Sequence, residues 1–223
     1  MGEPFAIKDC ALISIATGTR AQDIREFRDR LQTTPPACIY YHFWGGLLRP
    51  CFDEPEYQND FAAWAWHGLR DSTLAERLAL IDPTQCTCLE ELRRELLDIV
   101  EERMDESEWI NWVRARTQFY FTHAQIVVFD SGKRIKKPDK LGNSITKMSS
   151  GSIFYHFIDA RKRTEHSKND FSEWLSQFGD EYTPLSEHLA TVDPYFTTLS
   201  DLREELGQIF SEHAPKETTG EKT

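Results

Sequence analysis

The apolar residues of this chain fall into short blocks of two kinds. Phe5, Ile7, Ile13 and Ile15 share one parity, and Phe121, Val127, Val128 and Phe129 form an aromatic and β-branched block. Such residues suit a pleated strand, so strands are predicted over 5–16 and 119–129, with a helix as the alternative for the first. Thr17-Gly18-Thr19-Arg20 reads as a turn after the first strand. Ile24, Phe27 and Leu31 then recur at helical spacing, and Pro35-Pro36 stops that helix. In the later block Pro138 opens the corresponding helix. A helix from about Cys38 stacks Ile39, Phe43 and Leu47, and its partner starts near Ser152. Pro50 and Pro55 mark a loop. Asn59 or Asp60 can cap a helix carrying Phe61, Trp64 and Ala65, and a short helix spans Leu74 to Leu80. Thr87-Cys88-Leu89-Glu90 and Thr198-Leu199-Ser200-Asp201 read as capping boxes. The helix after the first runs through Leu89, Leu92, Leu96, Ile99 and Val100 towards Trp112. The predicted fold is mainly α with a small β component.

These blocks come twice. Ile39-Tyr40-Tyr41-His42-Phe43 returns as Ile153-Phe154-Tyr155-His156-Phe157, and Phe5 to Phe43 aligns without a gap on Phe119 to Phe157. Asn59-Asp60-Phe61 with Trp64 returns as Asn169-Asp170-Phe171 with Trp174. Leu92, Arg93 and Leu96 return as Leu202, Arg203 and Leu206. A period of this length is far above that of a solenoid. The expected organisation is an internal duplication of two pseudo-symmetric strand-plus-helices halves, 1–116 and 117–213, followed by a disordered tail at 214–223.

Composition narrows the function. The net charge is −11. That argues against general nucleic-acid binding, which rests on phosphate neutralisation by Lys and Arg. The charge is uneven, with Lys133, Arg134, Lys136, Lys137 and Lys140 clustered and Arg161-Lys162-Arg163 further on. Cys10, Cys38, Cys51, Cys86 and Cys88 all lie in the first half, and Ala124 and Ser152 stand opposite the first two. No disulfide framework is therefore shared, and the odd count fits reduced thiols. Cys86-x-Cys88 alone is a weak metal signal, and no metal or cofactor is assigned. No apolar run approaches the ~20 residues of a membrane helix. A cytoplasmic protein that does not engage membranes is expected.

Two candidate sites stand out. His42 and His156 each lie on a helical stripe with a small residue, which places them where helices approach closely. They are either buried and satisfied locally, or they bind a ligand or act as acid and base with Asp60, Asp170, Glu76 or Glu187. In the second case the two imidazoles would share a central site. Gly18 with Arg20, and Gly132 with Lys133 and Arg134, follow the predicted strands. If a helix started there, its free N–H groups and the arginine would form an anion pocket. Tyr40, Tyr41 and Tyr155 could line a pocket. Asn59 and Asn169 are read as caps.

Phe5-Ala6-Ile7-Lys8-Asp9-Cys10, Ala16-Thr17-Gly18, Ile39 to Trp44, Leu48-Arg49-Pro50, Pro55-Glu56-Tyr57, Asn59 to Ala62, Gln125 to Asp130 and Gly151 to Arg163 carry a resemblance. From Phe5 to about His213 the chain resembles the bacterial and archaeal cytosolic proteins grouped as domain of unknown function family 5752. The resemblance implies a cytosolic protein and brings no functional residues. Ser131 stands where similar proteins have threonine before the second glycine. The expected function is a non-catalytic binding or regulatory protein for an anionic, phosphorylated small molecule or a partner protein. The alternatives are a hydrolase or transferase built on His42 and His156, and a structural oligomerisation module.

Overall fold

A computed structural model describes residues 2–49, 55–164 and 167–213. The Pro50 end of the expected loop, Cys51 and the tail at 214–223 lie outside the described residues. The chain is mainly helical, with one two-stranded sheet of β1 (Phe5–Ala21) and β2 (Phe119–Ile135). Thr17 bonds to Phe121 and Ile7 to Ser131, so rising numbers on one strand meet falling numbers on the other and the pair is antiparallel.

Both strands are longer than the alternation predicts, because Gly18 and Gly132 do not turn the chain. They sit inside the strands at φ 78° and 72°. A single left-handed glycine is how an antiparallel strand absorbs an irregular residue and continues. The hydroxyl preceding each glycine holds it in place. Thr17 Oγ1 donates to the Phe121 carbonyl at 2.6 Å and accepts from the Thr19 N–H at 3.0 Å. Ser131 Oγ donates to the Ile7 carbonyl at 2.5 Å and accepts from the Lys133 N–H at 3.3 Å. Serine here retains both bonds that a threonine would make.

The chain folds as two compact units, Leu12–Ile126 and Met1–Ala11 with Val127–Thr223. The boundaries cut both strands rather than the chain at 116/117. Each strand is 17 residues long and is divided between the units. Phe119 and Phe121, which open β2, therefore belong to the Leu12–Ile126 unit, and Phe5 and Ile7, which open β1, belong to the other.

In the Leu12–Ile126 unit, α1 (Ile24–Thr33) starts at an Asp23 cap and α2 (Pro36–Trp44) starts on proline. Every residue from Cys38 to Trp44 is buried, so α2 is enclosed all round rather than along one stripe. At Gly45 it tightens into a 3-10 turn, which ends the predicted stacking before Leu47. Next come α3 (Asp60–Trp64), which widens into a π turn, α4 (Ser72–Ala79) and α5 (Leu89–Glu106). The predicted box at Thr87 is displaced by one residue: Cys88 takes the cap position, and Glu91 reaches back to the Thr87 N–H at 2.7 Å. The buried Arg93 guanidinium bonds to the Leu31 and Thr34 carbonyls and so closes the C-terminal end of α1. Phe27, Phe61, Trp64, Phe119 and Phe121 form the aromatic core.

The other unit holds α6 (Leu141–Ile145), then a continuous helical stretch from Ser150 to Arg163. That stretch comprises α7 (Ser150–Ile153), a π turn over Phe154–Asp159, and α8 (Ala160–Arg163). It is followed by α9 (Asp170–Leu175), α10 (Thr183–Thr191) and α11 (Leu199–Glu212). Thr198 caps α11 as predicted, accepting from the Asp201 N–H at 3.1 Å. Phe5, His156, Phe171 and Trp174 form its aromatic core.

Candidate functional site

Each signature histidine is built into a closed network inside its own unit. His42 rises from α2 and is 4% exposed. Its Nε2 lies 3.0 Å from the Thr122 backbone nitrogen and its Nδ1 lies 2.8 Å from Asp60 Oδ2. A backbone N–H can only donate, so Nε2 must accept. The ring proton is then on Nδ1, where it is donated to the carboxylate. His156 repeats this arrangement, with Nε2 2.9 Å from the Lys8 nitrogen and Nδ1 2.7 Å from Asp170 Oδ2.

An arginine completes each network. Arg49 bonds Asp60 Oδ2 at 2.7 Å and lies over the Tyr41 ring at 5.1 Å. Arg163 bonds Asp170 Oδ2 at 3.1 Å and lies over the Tyr155 ring at 4.0 Å. Burial pushes the His42 imidazole below its ordinary value, against the pull of Asp60. Burial raises the Asp60 carboxyl, but hydrogen bonds from His42 and Arg49 outweigh it and hold the group below the usual carboxylate range.

These contacts decide what the histidines can do. Both ring nitrogens of each are occupied, so neither offers a lone pair to a substrate, a metal or the other imidazole. Their carboxylate partners are Asp60 and Asp170, not Glu76 and Glu187. The network latches a strand to the helices of its unit. Asn59 and Asn169 are the predicted caps, accepting from Ala62 N–H at 2.8 Å and Ser172 N–H at 2.9 Å.

The glycine and arginine candidates are not arranged as an anion pocket. The strands continue past Gly18 and Gly132, and α1 starts only at Ile24, with Asp23 already bonded to the Glu26 N–H at 2.9 Å. Arg20 donates to Gln118 Oε1 at 3.3 Å. Arg134 is held in a two-pronged ion pair by Asp130, at 2.8 and 2.5 Å. That pairing lowers the Asp130 carboxyl far below its ordinary range. Among the described residues, no group of three or more His, Cys, Asp and Glu could hold a metal ion, and no helix is long and apolar enough to cross a membrane.

A cavity of about 470 Å³ lies elsewhere, between α8, α9 and α10. Its size falls in the range of small-molecule sites. Ser172 and Leu175 form its buried wall, and the exposed Lys168, Thr183 and Glu187 stand at its rim. Arg161 lines it with its guanidinium 5.0 Å from the Phe157 ring centre and 3.4 Å from the Val192 carbonyl. The Ser172 hydroxyl is buried without a hydrogen-bond partner. Ser172 sits in the first turn of α9, and the carbonyl four residues back, that of Lys168, accepts from Thr164 Oγ1 instead at 2.7 Å. That oxygen is closed off from solvent, so it lies behind the cavity surface rather than in it.

The family model for the family of unknown function DUF5752 matches residues 2–211. The chain belongs to this family. No curated protein matches the sequence. Among solved structures, that of OrfY from Thermoproteus tenax is similar, with a TM-score of 0.82 and 26% identity over 96% of this chain and 97% of that one.

For this family member, the sequence reading found the histidines and the carboxylates Asp60 and Asp170 but not the arginines that join them. The signal was present: Arg49 and Arg163 keep the spacing that relates Tyr41 to Tyr155. The cavity was missed because its lining comes from three separate segments. Only Arg161 belonged to a cluster that composition had singled out.

Proposed function

We propose that this protein is a non-catalytic binding protein for a small anionic molecule, and that the α8–α9–α10 cavity is its site. The observation that carries the reading is a cavity that presents Arg161 and Lys168 beside Ser176, Thr183 and Ser186. On a chain of net charge −11, a local pair of cations is a focus for an anion. The engagement of Nε2 in both histidines supports a binding role over acid–base catalysis, since the nitrogen that would do chemistry already accepts a backbone proton.

The two-fold repetition supports a tandem duplication in which one copy acquired the site. The latch residues recur, as do Asn169 and Glu187 of the cavity, but its cation and serine positions do not. The sequence alignment sets Arg161, Lys168, Ser172 and Ser186 against Leu47, Gln58, Ala62 and Ala75. Cys10, Cys38, Cys86 and Cys88 are free thiols, which agrees with action in the cytoplasm.

A thermal-shift titration with inorganic phosphate, and with phosphorylated and unphosphorylated metabolites, tests the reading. At ~100 times its dissociation constant a ligand should stabilise by about 2.7 kcal/mol. The shift should disappear in Arg161→Ala with Lys168→Ala and survive in Arg20→Ala with Lys133→Ala. Equal loss in both pairs would move the site out of the cavity.

A further inference from the structure

We infer that the ligand of this cavity is a phosphorylated polyhydroxyl compound, of the size of a pentose or hexose phosphate. This rests on the binding reading above and adds the chemical class. The lining divides into two sets. Arg161 and Lys168 supply positive charge. Ser176, Tyr182, Thr183 and Ser186 supply hydroxyls, and Glu187 supplies a carboxylate.

Each set has a distinct counterpart. A guanidinium and an ammonium match phosphate oxygens. A carboxylate beside an anion site would repel a second anionic group, so the part of the ligand that meets Glu187 is not anionic and donates hydrogen bonds. Hydroxyls of a polyol do that, and side-chain hydroxyls can both donate to and accept from them. The size agrees: at about 470 Å³ the cavity is near the small end of ligand sites, which suits a sugar phosphate better than a dinucleotide. Described lining residues offer no aromatic ring apart from Tyr182, whose hydroxyl already lies 3.4 Å from Asp139 Oδ1. A purine base would have no pair of rings to lie between.

Calorimetric titration of the full chain decides this. The probes are glucose 6-phosphate, fructose 6-phosphate, ribose 5-phosphate, glycerol 3-phosphate, glucose, inorganic phosphate and AMP. At least one sugar or polyol phosphate should bind at least tenfold more tightly than inorganic phosphate, glucose or AMP. Glu187→Gln should weaken that compound about tenfold while changing inorganic phosphate little, and Ser186→Ala should do the same. Glu187 is exposed, so its variant keeps the fold if Ser186→Ala does not. Inorganic phosphate or AMP binding as tightly as every sugar phosphate, with loss in Arg161→Ala, would overturn the polyol assignment and leave the anion reading standing. No binding of any anion would overturn both.

Discussion

Removing the His42 imidazole is expected to unlatch one strand selectively. The side chain is 4% exposed and both nitrogens are bonded, so His42→Ala acts in three ways. It leaves the Thr122 N–H without its acceptor, which costs about 1–3 kcal/mol when the group stays shielded from water. It leaves Asp60 with Arg49 alone, so the carboxylate remains paired and this loss is smaller, about 1 kcal/mol. It also opens a void against Phe61 and Phe119, whose ring centres lie 5.2 and 4.7 Å from the imidazole, for about 1–2 kcal/mol more. Together these give about 3–6 kcal/mol. Global unfolding of a chain with two compact units need not be two-state, so the decisive readout is local. Hydrogen exchange should show the Thr122 amide losing protection by several orders of magnitude in His42→Ala, while the Lys8 amide keeps most of its own. His156→Ala should do the reverse. Unchanged exchange at Thr122, or a destabilisation below about 1 kcal/mol, would refute the latch.

Three further outcomes follow from the same contacts. The folded His42 is held below its ordinary value by burial, so below pH ~6.5 the unfolded chain takes up a proton that the folded chain resists. Its contribution is fully present above that pH and is lost as pH falls. The depressed Asp60 carboxyl extends the loss below about pH 4. Urea midpoints measured between pH 8 and pH 4 should fall, and the fall should be shallower in His42→Ala. Gly132→Ala meets no neighbour but forces a left-handed alanine, for about 1–2 kcal/mol. Gly151→Ala drives a methyl into the Cys10 carbonyl and the Asp9 carboxylate, and should cost clearly more by the same denaturation assay. Cys10 is pushed up to about 12 by burial and then by Asp9, so alkylation at pH 8 should label the exposed Cys88 well before it.

What could be read from the chain alone was what local sequence controls. Asn59, Asn169 and Thr198 announce helix starts because a cap is a contact over three residues. The strand positions were legible from Phe119, Phe121 and their β-branched neighbours, but not the unit each end packs into. That choice depends on where Trp64 and Trp174 find carbonyl partners, at Thr117 and Glu3, and no periodicity encodes it. Gly18 read as a turn because a left-handed glycine serves a turn and a strand irregularity equally well. The acceptor role of the histidines was illegible for a related reason, since the donor is a backbone N–H from a distant strand. The cavity lay beyond reach because Arg161, Ser172 and Glu187 meet only once α8, α9 and α10 are packed.

The most direct test of the account is an amide NMR titration of the full chain with glucose 6-phosphate and fructose 6-phosphate, each against inorganic phosphate. The account predicts saturable shifts that concentrate on residues 161–190, centred on Ser172 and Ser186, and vanish in Arg161→Ala. Shifts centred instead on residues 18–20 and 132–140, or no saturable shift with any of the three, would contradict it.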